Sequence, residues 1–251
     1  MLNHKSRHTV KLVIPARNEE DAIGQVVRSI INHVDSVIVA DNGSTDKTAE
    51  IARQAGAAVV YVEEPGYGRA CLAAIEKAGD CDILIFMDGD ASDDPEDLPT
   101  LLAPIISDEA DLVIGSRILG DCDRGALTLQ QRFGNSLACW LMQIFWGYKF
   151  TDLGPFRAIR RPAYEALNMQ APTFGWTVEM QVRALKLGLK CAEVPVHYRA
   201  RIGVSKISGT FKGVILAGWY ILGTIFLEAL PRRRRTMTKR YSGLKTKEPS
   251  V

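Results

Sequence analysis

Asp88 and Asp90 stand one glycine apart, directly after the apolar run ILIFM. If that run is a strand, alternation at its exit aims both carboxylates at a common point, and Gly89 lets a ligand come close to the backbone. Two hard oxygen donors with open positions describe a Mg2+ or Mn2+ shared between the protein and a diphosphate. The plainer reading is an acidic loop that caps the next helix. Asp93 and Asp94, ahead of Pro95 and Glu96, have the residue types of an N-cap with proline at the first helical position, and we read them as structural. Asp88 and Asp90 are assigned to the metal.

A second polar loop, Asp41 to Asp46 (DNGSTD), could be only a turn and a helix cap, since every residue type in it favours turns. Together with Asn18 and Glu19 it offers acceptors for a nucleobase N–H and for ribose hydroxyls. The first apolar run is followed by neither GxGxxG nor GxxxxGK[ST], which excludes a Rossmann or P-loop grip on a pyrophosphate. A diphosphate here must be neutralised by metal and side chains.

The elements that must carry these loops follow from periodicity. Residues 10–14, 37–40, 58–62, 83–87 and 111–114 are short apolar runs read as strands, and helical patterns over 18–31, up to Gly56 and after the glycine turn PGYG separate them. Continuous apolar strands alternating with helices predict an α/β fold with a mainly parallel twisted sheet and helices on both faces. Ligands of such sheets collect at the carboxyl ends of the strands, where all three polar loops lie.

The 251 residues suffice for one large domain with appendages, and a net charge of +2 gives no basic field for nucleic acid. Charge is unevenly placed: acids crowd residues 80–97, and the tail from Arg232 to Arg240 is basic. Five cysteines without a CxxC pair argue against a disulfide framework or zinc site and fit a reducing compartment. The N-terminal residues lack the pattern of a signal peptide, so a cytoplasmic location is expected. Residues 133–150 and 213–230 are aromatic-rich apolar stretches of about 18 residues each, neither a clean transmembrane helix. Followed by PRRRR, they suit interfacial helices on an anionic membrane surface; the alternative is packing in the core or a subunit contact. The expected organisation is a domain over 1–210 with an interfacial helix near 133–150, a membrane-associating helix over 211–231 and a basic disordered tail over 232–251. A homo-oligomer is left open.

The motifs PARNEE, ADNGSTD, PGYGRA, MDGDASDDPED, GSR and RIGVSK occur in this order. In them the chain resembles GT-A fold, family-2 glycosyltransferases, nearest to polyprenyl-phosphate (dolichyl-phosphate) mannose or glucose synthases, over residues 10 to about 210. The resemblance implies that Pro15, Arg17, Asn18, Glu19 and Asp41 hold the nucleoside, with Gly68 in the glycine turn beside it. Asp88 and Asp90, around Gly89, would be the metal-binding DxD pair. Arg117, Arg132, Ser136, Arg201 and Lys206 would gather around an acceptor phosphate. Asp152 and Arg157 fall in a loop that reads DLGPFR here and closer to D-x-x-S-G-F-R in the family, and Glu179 falls in a helix next to the site. Ser92 stands where some relatives place a metal-contacting glutamine, and the histidine many carry before the proline is absent.

A phosphate monoester has a second pKa near about 6, so it attacks as an anion and needs no general base, whereas an alcohol acceptor does. Asp152 is the one candidate base, with orientation of Arg117 or Arg132 as its other role. The four histidines fall in no motif, and His197 is read as a satisfied strand residue. The cationic set could also be ordinary surface ion-pair partners. The expected activity is a metal-dependent, inverting transfer of a hexose from GDP-mannose or UDP-glucose to a polyprenyl phosphate at the cytoplasmic face of a membrane. The rivals are a same-fold enzyme with a soluble sugar or small alcohol acceptor, a non-catalytic nucleotide-sugar or membrane binder, and a nucleotidyltransferase, whose lysine-bearing glycine loop is missing.

Overall fold

The computed structural model describes residues 8–203 and 211–230, with side chains in the second stretch described from Leu216. Seven strands form one sheet in the order β3-β2-β1-β4-β6-β5-β7. They are β1 (Val10–Ala16), β2 (Ser36–Asp41), β3 (Ala58–Tyr61), β4 (Ile83–Phe86), β5 (Leu112–Ser116), β6 (Arg157–Arg160) and β7 (Cys191–Pro195). The helices are α1 (Ile23–Ile30), α2 (Thr48–Gln54), α3 (Tyr67–Ala78), α4 (Leu98–Ile106), α5 (Leu129–Trp146), α6 (Arg161–Leu167), α7 (Trp176–Leu187) and α8 (Phe211–Ala229), with a 3-10 turn at Pro95–Asp97.

Strand alternation divides the core in two. Val13, Ile38, Leu84 and Phe86 face the side covered by α3, α5, α6 and α7, while Leu12, Ile14, Val39 and Ile85 face α1 and α4. All of these side chains are essentially inaccessible to solvent. Strands β1, β2, β3 and β4 are parallel, so the loops after β1, β2 and β4 emerge at one edge as expected.

Strand β6 departs from the sequence reading. It runs antiparallel between β4 and β5, and two of its four residues are arginines, which hide it from an apolar-run criterion. Arg157 is nonetheless 1% exposed. Its guanidinium donates to the carbonyls of Leu153, Gly154 and Thr177, and burial lowers its pKa to about 10.

Other boundaries shift for local reasons. Helix α1 begins only at Ile23, because Asn18 is left-handed (φ 52°) and the Glu19 carbonyl closes a turn onto the amides of Ala22 and Ile23. Helix α5 begins at Leu129, where Thr128 and Gln131 form a capping box, and ends at left-handed Gly147. Helix α8, expected as an appendage, packs on α5 and α7 with Ile225 fully buried. No described helix is long and apolar enough to cross a membrane. The expected tail over 232–251 lies outside the described residues.

Candidate active site

Strand β4 delivers Asp88 and Asp90 to the sheet edge through Met87, whose amide still donates to the Val13 carbonyl at 3.2 Å. Gly89 is needed for close packing, since a Cβ there would meet Ile14 and Ile23 at 3.3 Å. After Asp90 the backbone turns through left-handed Ala91 (φ 63°). That turn brings the Ser92 amide and hydroxyl onto Asp90 Oδ1 at 3.0 and 2.5 Å. Ser92, standing where a metal-contacting residue was expected, is fully buried and holds Asp90 in place.

Asp94 caps the 3-10 turn by accepting from the Glu96 amide, with Pro95 at its first position. Asp93 does not share that capping role. Its Oδ2 accepts from the Asp88 amide at 3.0 Å, its Oδ1 is buried without a hydrogen bond, and burial together with the Asp88 charge raises its pKa.

A cavity of roughly 370 Å³ opens over the carboxylates. Pro15, Arg17 and Glu19 line it from the first loop, Asn42 from the second, Asp88, Gly89 and Asp90 from the third, and Arg201 from the far end of the domain. Arg201 bridges two of these loops, with Nη2 on Glu19 Oε1 at 2.9 Å and Nη1 on Asp90 Oδ2 at 3.1 Å. Tyr67 at the start of α3 donates to Asp88 Oδ1 at 3.3 Å. Burial first, and then the charge of Asp90, pushes the Asp88 carboxyl up to about 7.

Two crowded carboxylates with too little counter-charge fit a hard divalent cation. Among the described residues no group of three or more His, Cys, Asp or Glu could hold an ion alone. The pair therefore suits an ion whose remaining positions are filled by a bound diphosphate and water.

The remaining expected residues stand as follows. Asn18 and Asp41 stiffen the loops and do not line the cavity: Asn18 Oδ1 accepts from the Thr45 amide at 2.8 Å, and Asp41 Oδ1 from that of Ser44 at 2.9 Å. Gly68 lies inside α3 rather than in the turn, pressed against the Ala171 carbonyl. Arg117 and Asp152 pair with each other behind the cavity, and the Asp152 side chain is wholly buried. Of the two roles considered for Asp152, this geometry matches that of orienting Arg117. Arg132 and Ser136 are exposed on α5, outside the cavity lining. Lys206 lies outside the described residues. His197 sits just past β7 and is satisfied by carboxylates, with Nε2 at 3.1 Å from Asp123.

Sequence reasoning missed Tyr67, Thr173, Phe174, Leu216 and Tyr220, all of which line the cavity. Tyr67 carried a signal in being the one aromatic side chain inside PGYGRA. Glu179, read as near the site, accepts from the amides of Gln170 and Ala171 and so holds the segment that carries Thr173 and Phe174.

Comparison with known proteins agrees with this geometry. An uncharacterized glycosyltransferase of Mycobacterium bovis is 35% identical over 213 residues, covering 83% of this chain and 94% of that protein. A dolichyl-phosphate hexose transferase of Haloferax volcanii is 35% identical over 201 residues, covering 78% and 85%. Glucosyl-3-phosphoglycerate synthase from Mycobacterium tuberculosis, solved with Mn2+, UDP-glucose and phosphoglyceric acid, superposes with a TM-score of 0.73 at 26% identity, covering 91% of this chain and 82% of that one. The pattern of Glycosyl transferase family 2 matches residues 11–167. With its sheet, its DxD pair at the exit of β4 and this match, the chain belongs to glycosyltransferase family 2 and has the GT-A fold.

Proposed function

We propose that the protein is a metal-dependent, inverting hexosyltransferase that moves a sugar from GDP-mannose or UDP-glucose to a polyprenyl phosphate at the cytoplasmic face of a membrane. The observation that carries this reading is the make-up of the cavity over the carboxylates. Its lining combines the charged Arg17, Glu19, Asp88, Asp90 and Arg201 with Leu216 and Tyr220 of the apolar helix α8. A ligand with a charged head and a hydrocarbon tail matches such a lining.

Asp88 and Asp90 would hold Mg2+ or Mn2+, which supplies charge neutralisation for the departing nucleoside diphosphate. Tyr67 and Ser92 fix the two carboxylates. Arg201, already at the cavity wall, offers its guanidinium to an acceptor phosphate that needs no base. The buried Asp152 is unsuited to deprotonating an alcohol, which favours a phosphate nucleophile.

The membrane part of the reading rests on an apolar face. Phe133, Trp140 and Ile144 on α5 and Trp219, Phe226 and Leu227 on α8 are all exposed. The two helices meet at an edge-to-face contact of Phe145 and Phe226 at 5.9 Å. Exposed apolar and aromatic side chains of this kind suit the headgroup boundary of a bilayer.

A second reading is favoured by the likeness to the synthase solved with phosphoglyceric acid: a small phosphorylated acceptor in place of a lipid. One assay separates them. Purified protein with Mn2+ or Mg2+ is given UDP-glucose or GDP-mannose and either a polyprenyl phosphate in anionic vesicles or phosphoglyceric acid, and products are read by mass spectrometry beside Asp90→Ala. Metal-dependent glycosyl lipid, lost in the variant, supports the proposal. Transfer only to phosphoglyceric acid moves the assignment to the second reading, and no transfer from either donor overturns both.

A further inference from the structure

Helix α8 carries one acidic residue, Glu228, on an otherwise apolar surface, and that residue is 6% exposed. Burying a carboxylate is costly unless it is paired, and Glu228 is paired twice. Its Oε1 accepts from Arg183 Nε and Nη2, both at 3.2 Å, and its Oε2 from Lys186 Nζ at 2.7 Å. The same Arg183 Nη2 lies 2.7 Å from Glu179 Oε1. Glu179 in turn accepts from the amides of Gln170 and Ala171, at 3.0 and 2.7 Å to Oε2. Two residues further along, Thr173 and Phe174 form part of the cavity wall.

The contact between α8 and that wall is made along one stripe. Leu216, Tyr220, Thr224 and Glu228 are spaced four apart, so they lie on one face of the helix. Leu216 and Tyr220 line the cavity, and the Tyr220 ring lies 6.5 Å from that of Phe174. Thr224 Oγ1 sits so close to Gly175 that a Cβ there would come within 2.2 Å of it. Glu228 anchors the far end of the stripe.

We propose that Glu228 and Arg183 are positioning residues for the cavity: the chain Glu228–Arg183–Glu179 fixes α8 and the 170–174 segment in one arrangement, and so sets the apolar wall assigned above to the acceptor. This rests on the transferase reading above for what fills the cavity. Neither residue is part of the cavity lining. Arg183 serves both carboxylates through one guanidinium fork, so a change at Glu228 reaches Gln170 and Ala171 through the arginine. Lys186 joins Glu228 without joining Glu179, and gives an internal control.

The test uses the full chain and two readouts, hydrogen exchange across 169–174 and steady-state kinetics with the acceptor that the wild type uses. Glu228→Gln keeps the side-chain shape and removes its charge, and Arg183→Lys keeps the charge and loses the fork. Lys186→Ala removes the other partner of Glu228. The first two variants are expected to speed exchange at Gln170 and Ala171 and to raise the acceptor KM about tenfold with kcat within about twofold. Lys186→Ala should match wild type in both. Wild-type exchange and KM in a folded Glu228→Gln would overturn the proposal, as would a Lys186→Ala that behaves like it. If Glu228→Gln unfolds, Arg183→Lys carries the same comparison. Exchange needs no substrate, so a wild type that binds no nucleotide sugar overturns the transferase reading while the exchange result still judges the chain.

Discussion

Arg117 forms a two-pronged pair with Asp152, Nε to Oδ2 at 2.8 Å and Nη2 to Oδ1 at 2.7 Å, while its backbone amide donates to the same Oδ2 at 2.9 Å. The Tyr198 ring covers the guanidinium at 5.0 Å. Burial works against the charge of Arg117, but the Asp152 carboxylate outweighs it and raises the arginine's pKa. The pair joins the end of β5 to the chain entering β6, behind the cavity. Breaking a buried pair strands one charge, so Asp152→Asn should cost about 3 kcal/mol in thermal or denaturant unfolding. If Asp152 were instead the base, the variant would keep wild-type stability and lose only kcat.

Gly68 and Gly134 make opposite predictions for the same substitution. A Cβ on Gly68 would lie 1.8 Å from the Ala171 carbonyl oxygen, so Gly68→Ala must displace the 170–172 segment and should destabilise by about 1–3 kcal/mol. Gly134 lies within α5, and a Cβ there meets nothing within 4 Å. Gly134→Ala should stabilise by about 0.5–1 kcal/mol. Paired Tm measurements check both.

Tyr67 orients Asp88 through a single hydroxyl. Tyr67→Phe should leave the fold intact and weaken Mn2+ binding by about tenfold, the usual size of effect for a group that orients a metal ligand. Calorimetric titration of Mn2+ in the presence of the nucleoside diphosphate measures this, and unchanged affinity would show that Asp88 is held by other means.

His197 ties the segment leading to Arg201 onto two acidic loops. Its ring faces Asp123 at 3.1 Å and Asp94 at 3.5 Å, its amide donates to Asp97, and Arg199 also pairs with Asp94. The hydrogen bond to Asp123 leads in raising its pKa above 6.5. With the folded pKa raised, the tie is complete below about 6.5 and is lost as pH climbs through the folded value. An NMR titration of the imidazole should place the midpoint above the ordinary value, and Asp123→Asn should bring it back down.

The parallel half of the sheet was legible because β1, β2 and β4 are apolar runs almost wholly buried, and the DxD pair because it stands directly behind one of them. What escaped was polar and non-local. Strand β6 is concealed by two arginines whose charges are met by backbone carbonyls and by Asp108. Tyr220 and Phe174 meet across 46 positions of sequence and read locally as helix surface and loop. The motif shows the type and place of Arg117 but not its partner, Asp152, which stands 35 positions away. Asp93 and Asp94 look identical in sequence, yet one turns inward to the Asp88 amide and the other caps the 3-10 turn.

The insertion of β6 between β4 and β5 also constrains how the chain is made. Strand β4 pairs with β1 on one side, and on the other its partner arrives only with residues 157–160. Until the ribosome has released that segment, Ile83–Phe86 is an open apolar edge with free amides and carbonyls, a template for pairing with another nascent chain. The long excursion through 117–156 delays its cover, and a polypeptide ending before residue 157 would carry the DxD pair on a strand with no outer neighbour. The strand that carries the carboxylate pair is therefore fully framed only after more than half of the molecule has been synthesised.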